Sequence, residues 1–245
     1  MRAVSSLLAP TATCCAREGF DWRAAKCFLF DIDGTLLNTR DGVHYHAFSH
    51  AFREVWGIAE TIDGVPWHGN TDVGIILAVA QRAGISGGDL QLEELCRAMA
   101  GELERTSANL KPEPCPAVPE LLRSLEQQGK ILGIATGNIE CVAWAKLENS
   151  GLRKYFSFGA CSGPAPGQET REAIFTEGVR LARAAAGHSA SVHVVGDTPN
   201  DIQAARAVGI PVIGVATGKY GYEELRALGP DMVVSSFESL AGDGN

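Results

Sequence analysis

Residues 26–39 read KCFLFDIDGTLLNT. An apolar run from Cys27 to Phe30 stops at Asp31, and a second aspartate, Asp33, follows one isoleucine later. A short apolar run without alternation, closed by turn residues, is the pattern of a strand buried on both faces of a parallel sheet. Side chains two apart on a strand point the same way, so the two carboxylates converge, and Gly34 lets the chain turn sharply behind them. Like charges that close raise one another's pKa unless a cation stands beside them. The stretch predicts a strand end and, at that end, a place for positive charge.

The same strand signature recurs at residues 130–136 (KILGIAT), 155–160 (YFSFGA), 191–197 (SVHVVGD), 210–216 (IPVIGVA) and, more weakly, 231–236 (DMVVSS). Helical stretches separate the later ones. In residues 117–129, Val118, Leu121, Leu122 and Leu125 share one helical face and a glycine closes the run. The alternation predicts an α/β fold, a doubly wound, Rossmann-like parallel sheet with right-handed crossovers. About a hundred residues separate the first strand from the second, far more than a crossover helix needs. They carry helical periodicity at 43–56, 72–85 and 90–110, and the return segment KPEPCP (111–116) is a stiff, proline-rich linker. A small all-helical domain at 42–112 is therefore expected as an insertion into a core made of 20–41 and 113–245. Residues 1–19 read as an N-terminal tail. Arg2 is the only cation ahead of their apolar part, and that part is shorter than a secretion signal needs.

The 245-residue chain is 45% apolar and 20% charged, with a net charge of −8, the composition of an ordinary soluble globular protein. It has no lysine- or arginine-rich run, which argues against a nucleic-acid partner, and no stretch long enough to span a membrane. The seven cysteines are irregularly spaced and contain no C-x-x-C, which argues against a disulfide framework or a zinc site. Free thiols in a reducing cytoplasm are the expectation.

In a parallel α/β sheet, ligands bind outside the carboxyl ends of the strands. The second strand ends in Ala135-Thr136-Gly137-Asn138, a hydroxyl and free amides ahead of a helix N-terminus, which suits an anion. The fourth ends in Gly196-Asp197-Thr198-Pro199-Asn200-Asp201. Thr198 makes a good N-cap and Pro199 a good first helical residue, leaving Asp197 in the crevice and Asp201 one turn into the helix. Three carboxylates at neighbouring strand ends call for Mg²⁺, which takes oxygen ligands from carboxylates, waters and a substrate phosphate. One aspartate can then attack phosphorus, while the other protonates the leaving oxygen and later activates water.

Three motifs, in order and each at an expected strand end, carry a resemblance. DIDGTL, GIATGN and VVGDTPNDIQAARAVGIPVIGV resemble the first, second and fourth motifs of the haloacid dehalogenase superfamily. The likeness is to its subgroup with a helical cap inserted after the first motif, of the phosphoglycolate phosphatase and β-phosphoglucomutase type, and it runs from about Lys26 to the end of the chain. It implies that Asp31 is the nucleophile and becomes a phospho-aspartate, and that Asp33 is the general acid/base. It further implies that Thr136, with Gly137 and Asn138, binds phosphate. Mg²⁺ would be held by Asp31, by Asp33 through its main-chain carbonyl, and by Asp197, with Asp201 contributing from behind or through water. Dehalogenases of the superfamily lack the second aspartate of the first motif, so Asp33 favours phosphoryl transfer. The third motif departs: the family usually has a lysine in a K-P-x-P context, whereas SGPAPGQETREAIF has Gly163 before the Pro-x-Pro. Arg171 is the best substitute, because a guanidinium can pair with both a phosphate and a carboxylate; Lys154 comes next.

By the same resemblance, residues 42–112 form a mobile cap whose loop WHGNTD (67–72) reads substrate and caps a helix from Val73. His68, Asn70 and Thr71 are its candidate contacts. VHYHAF faintly resembles the YHxxAW of β-phosphoglucomutases, which puts His44 in question as a proton-transfer aid; solvent-facing His44 and His46 are the plainer reading. Trp56 and Trp67 read as cap core. A phosphonate hydrolase would want a Schiff-base lysine in the cap, and only Lys111, in the proline-rich hinge, is on offer. The expectation is a Mg²⁺-dependent phosphatase, monomer or homodimer, acting on a small phosphorylated metabolite that is phosphoglycolate-like or a sugar phosphate. A phosphomutase and a non-catalytic phosphometabolite-binding protein are the alternatives.

Overall fold

The computed structural model describes residues 13–241. In chain order the elements are β1 (Cys14–Ala16), β2 (Cys27–Phe30), β3 (Leu37–Thr39), α1 (Val43–Trp56), α2 (Asp72–Ala83), α3 (Leu92–Thr106), β4 (Pro112–Pro114), α4 (Val118–Gln127), β5 (Ile131–Ile139), α5 (Glu140–Asn149), β6 (Phe158–Ser162), α6 (Arg171–Ala186), β7 (Val192–Gly196), α7 (Pro199–Ala207), β8 (Val212–Val215), α8 (Tyr222–Ala227), β9 (Met232–Val234) and α9 (Glu238–Ala241). Seven strands form one sheet in the order β1-β9-β8-β7-β2-β5-β6, parallel except for β1. The chain fills one flank of β2 with β5 and β6, then returns to the other flank with β7. This reversal places the crevice of a doubly wound sheet at the carboxyl ends of β5, β2 and β7.

Strand β2 shows why its sequence reads as it does. Phe28 and Phe30 pack into one hydrophobic cluster with Leu121, Leu132 and Val195, while Cys27 and Leu29 face the other way, among Phe175, Val179 and Val194. Both faces of the strand are core, so alternation vanishes. Fully burying such side chains stabilises by about 1.5–3 kcal/mol each. Two expectations need correction. Residues 13–19 are not a tail, because Cys14–Ala16 pairs antiparallel with Met232–Val234. The segment carries no strand signal because all three residues are exposed. Residues 1–12 of the expected tail lie outside the described residues. Strand β5 also runs on to Ile139, and its pairing with β6 loses register between Thr136 and Ile139. Its last residues therefore bulge at the crevice.

The excursion between β3 and β4 is helical. α1, α2 and α3 bury Val43, Ala47, Phe48, Phe52, Ile76, Val79, Leu95 and Met99 in a core of their own, which also takes in Ile139 and Val142 from the sheet domain. Trp56 stacks on Phe52 in this core, whereas Trp67 is 47% exposed and is not part of it. The two crossings between the domains pair with each other, Leu37 against Pro114 and Thr39 against Pro112, in a two-stranded hinge.

The cap is docked on the sheet domain by residues 69–73. Asn200 Nδ2 donates to the Gly69 carbonyl at 2.8 Å, Thr71 Oγ1 to the Glu169 carbonyl at 2.6 Å, and Ile139 N to Asp72 Oδ2 at 2.8 Å. The approach is close enough to require glycine at 137: a Cβ there would lie 2.5 Å from the Asn70 carbonyl oxygen. Gly137→Ala should therefore lift the cap without disturbing the sheet. The expected result is a fall in kcat/KM of about tenfold or more, because ångström-scale misplacement costs that much, with Tm changed by only a few degrees. Steady-state kinetics and thermal unfolding check it; an unchanged kcat/KM would show that turnover does not use this docked state.

Candidate active site

Asp31 follows the last residue of β2 and Asp197 the last residue of β7, so adjacent parallel strands deliver both carboxylates to one spot. Gly34 makes this possible. It adopts φ +84°, and a Cβ on it would sit 2.3 Å from Asp197 Oδ2. Asp201 arrives from the first turn of α7. Thr198 caps that helix, and Asp201 Oδ2 accepts from Thr198 N at 3.0 Å and from its Oγ1 at 2.7 Å in a reciprocal capping box. Its other oxygen, Oδ1, faces the cluster. Among the described residues, Asp31, Asp197 and Asp201 form a group whose ligand oxygens lie within 4.8 Å of one another, and all three are buried.

Arg171, the first residue of α6, points into this cluster. Its Nη1 donates to Asp31 Oδ1 at 2.9 Å and its Nη2 lies 3.1 Å from Asp201 Oδ1. Burial works against the guanidinium's charge, but Asp201 and Asp31 outweigh it and raise its pKa. Lys154, the second choice from sequence, is exposed beside Tyr155 and does not line the cleft. The acids remain crowded despite Arg171. Burial first, and then Asp31 and Asp201, push Asp197 well above the usual carboxylate range; burial and Asp31 hold Asp201 up at about 6, against the pull of Arg171. Buried Arg171 Nε has no hydrogen-bond partner, and buried Asp201 Oδ1 has the Arg171 ion pair but accepts no hydrogen bond. A hard, oxygen-seeking cation such as Mg²⁺ fits this donor set, and so does an anionic oxygen beside Arg171.

The remaining sequence candidates separate into those that face the cleft and those that do not. Asp33 faces it with its side chain 44% exposed, gripped by Lys146 Nζ at 2.6 and 2.8 Å and by Asn138 Nδ2 at 2.8 Å. Burial would raise its pKa, but Lys146, with help from Asn138, holds it below the usual value. Thr136 and Gly137 line the floor of the cleft. Asn138 was expected to contact phosphate, but its amide is committed inward: Nδ2 to Asp33 and Thr136, Oδ1 to Lys146. His68 and Asn70 line the cleft mouth; burial and the nearby Lys219 hold His68 below its ordinary pKa. Thr71 is not a substrate contact. It is 1% exposed, its Oγ1 donates to Glu169, and it is the N-cap of α2, accepting from Gly74 N. His46 is exposed, but His44 is not solvent-facing: Nε2 is 3.1 Å from Asp72 Oδ2 and Nδ1 is 3.3 Å from Lys146 Nζ.

Sequence reasoning misses Lys146. The available signal is its place on the buried stripe of α5, alongside Val142, Ala143 and Leu147, where a lysine needs a partner. These residues and the cap side chains Tyr45, Phe48, Ile62, Trp67 and Ile75 enclose a cleft of about 450 Å³ between the two domains.

The family model for haloacid dehalogenase-like hydrolases matches residues 28–215, which contain every side chain of this cluster. The chain belongs to that family. Phosphoglycolate phosphatase from Mesorhizobium japonicum is 30% identical over 217 residues, covering 86% of this chain and 91% of its own length. Probable phosphatase IndB from Dickeya dadantii is 29% identical over 226 residues, covering 87% and 91%. Among solved structures, CbbY from Rhodobacter sphaeroides in complex with xylulose-(1,5)-bisphosphate shares the fold with a TM-score of 0.67, at 21% identity and with 90% of this chain and 96% of that one covered. A predicted phosphoglycolate phosphatase from Haemophilus somnus aligns with a TM-score of 0.63 at 22% identity, covering 89% and 96%. As a member of this hydrolase family, with relatives named as phosphatases, the protein is an enzyme. No helix among the described residues is long and apolar enough to cross a membrane.

The raised carboxyls give a pH prediction. A carboxyl with a raised folded-state pKa binds its proton more tightly folded than unfolded. Its contribution to stability is therefore full below about pH 4 and is lost as pH rises through about 6, the value for Asp201. A divalent cation held on these oxygens would relieve that loss. Mg²⁺ should raise Tm more at about pH 7.5 than at about pH 5. Thermal unfolding with Mg²⁺ or with EDTA checks this, and an equal gain at both pH values would place the cation elsewhere.

Proposed function

We propose that the protein is a Mg²⁺-dependent phosphatase that hydrolyses a small phosphorylated metabolite through a phospho-aspartate on Asp31. The observation that carries the reading is the meeting, at the ends of β2 and β7, of three buried carboxylates and one buried guanidinium that pairs with Asp31. Asp31, oriented by Arg171, attacks phosphorus in line with the leaving oxygen. Asp33 gives that oxygen a proton, then takes one from the water that hydrolyses the acyl phosphate. Arg171 and the Thr136 hydroxyl, with the amides around Gly137, face the charge that develops on the phosphoryl oxygens. Mg²⁺, held by Asp31, Asp197 and the Asp33 carbonyl with Asp201 behind, would neutralise the carboxylates and the phosphoryl group together when bound. The docked cap excludes water and lays the substrate's body against Tyr45, Phe48 and Trp67. Phosphoglycolate and sugar phosphates are the substrate classes to screen first, and the names of the relatives favour phosphoglycolate. The seven free thiols accord with a reducing cytoplasm.

Asp31→Asn should reduce turnover to background while the near-isosteric side chain keeps the fold. More than a few per cent residual activity in the purified variant would rule Asp31 out as nucleophile. Arg171→Ala should lose on the order of 10²–10³ in rate, as for other groups that stabilise developing charge; wild-type kinetics would send the assignment to another cation.

The phosphomutase alternative would need a base poised for the sugar hydroxyl. His44 has both ring nitrogens engaged, with Asp72 and Lys146. Turnover in ¹⁸O-labelled water should therefore place label in the released phosphate, with no interconversion of hexose 1- and 6-phosphates even with a bisphosphate primer. Primed isomerisation outpacing phosphate release would reverse the assignment.

A further inference from the structure

Lys146 is 2% exposed, and a buried ammonium keeps its charge only if its three N–H donors find acceptors. They do. Both oxygens of Asp33 lie at 2.6 and 2.8 Å, Asn138 Oδ1 at 3.0 Å and His44 Nδ1 at 3.3 Å. The first two partners belong to the ends of β2 and β5, and the third comes from the cap. Because lysine can only donate, His44 Nδ1 accepts, and Nε2 carries the hydrogen that it gives to Asp72 Oδ2 at 3.1 Å. That same carboxylate oxygen accepts the N–H of Ile139, the residue that opens α5, on which Lys146 rides. A closed circuit runs from cap to core and back, and Asp33 is its member in the cleft.

Arg171 takes no part in this circuit, since its ion pairs are with Asp31 and Asp201. Each aspartate of the first motif thus has its own cation. The two tasks differ. The Asp33 side chain is 44% exposed, free to change rotamer unless held, and an acid–base group must be kept within about 0.5 Å of its productive position. A two-oxygen grip from Lys146, braced by Asn138 Nδ2 at 2.8 Å, fixes both the position and the plane of the carboxyl group.

We propose that Lys146 is a positioning residue that holds Asp33 for acid–base transfer, and that docking of the cap through His44 and Asp72 completes the hold. The proposal rests on the reading of Asp33 as acid–base. The step it serves is balanced: Asp33 takes up a proton from solvent, and as the Asp31–phosphorus bond forms and the bond from phosphorus to the leaving oxygen breaks, that proton passes to the leaving oxygen and Asp33 is left as the carboxylate that Lys146 holds.

The test compares kcat/KM, which reports steps up to phosphoryl transfer, for phosphoglycolate, an alkyl ester, and p-nitrophenyl phosphate, whose leaving group departs without a proton. Lys146→Met should lose about 100-fold on phosphoglycolate and less than about fivefold on the aryl ester, as losing acid assistance would. Asp33→Asn should show the same split, and the double variant no further loss. His44→Ala, which removes only the cap's share, should lose less than about tenfold, again on the alkyl ester alone. Equal losses on both esters, no loss on either, or additive losses in the double variant would overturn the proposal. If Lys146→Met does not fold, Lys146→Gln, which is one atom shorter and uncharged and so loses the two-oxygen grip, must show the split or the proposal falls. If Asp33→Asn itself loses equally on both esters, the acid–base reading is wrong and the proposal goes with it. If Asp33→Asn shows the split and Lys146→Met does not, the proposal alone is wrong.

Discussion

Three buried carboxylates want to be apart, and the fold holds them together with Arg171. The guanidinium stands at the first residue of α6, the end of a helix that disfavours positive charge by about 0.3–1 kcal/mol. Opposite charges near 4 Å attract by about 4 kcal/mol at the effective dielectric of protein sites, so the carboxylates decide where it stays. The placement depends on several local decisions at once. Thr170 must cap α6, Gly34 must turn without a Cβ, and Thr198 must start α7 so that Asp201 divides its two oxygens between helix and cluster. The sheet order follows the same requirement, because only neighbouring parallel strands bring Asp31 and Asp197 to one level.

Around that cluster, positive charge is divided rather than pooled. Arg171 pairs with Asp31, the proposed nucleophile, and Lys146 with Asp33, the proposed acid–base group. The division also separates contacts made within the sheet domain from those shared with the helical insertion. The contacts of Arg171 lie wholly within the sheet domain, whereas Lys146 shares an acceptor with the cap. Lifting of the cap would leave the partners of Asp31 in place and change those of Asp33. Asp72 is the pivot of this link, since it lies at the N-termini of both α2 and α5, where a carboxylate is favoured.

Much of this is legible from the residues in order. The apolar runs name the parallel strands, because strands buried on two faces cannot hide their composition. Thr198 and Pro199 announce the start of α7, and the missing lysine before Pro-x-Pro points to Arg171. What stays illegible depends on contacts between distant segments. Lys146 reads as a helix-surface lysine until Asp33, Asn138 and His44 are brought round it. Thr71 and Asp72 are both good caps, and sequence does not show that Asp72 is needed elsewhere, so the cap falls one residue earlier than expected. Asn138 ends a motif that suggests phosphate, yet its amide turns to the acid beside it. Trp67 looks like core by type and stands at the cleft mouth instead.

Strand β1 has a consequence beyond pairing. A sheet ends in a row of backbone donors and acceptors that another chain can join, and a flat apolar strand left bare there is a template for aggregation. Strand β9 is such a strand, with Met232, Val233 and Val234 all buried. Cys14–Ala16 covers it with a short solvent-exposed ribbon, fastened by Arg17 to Asp231 at 2.9 Å. Three exposed residues that contribute almost nothing to the hydrophobic core thus act as a solubility guard, and a chain shortened to the start of the parallel strands would present β9 to its own copies.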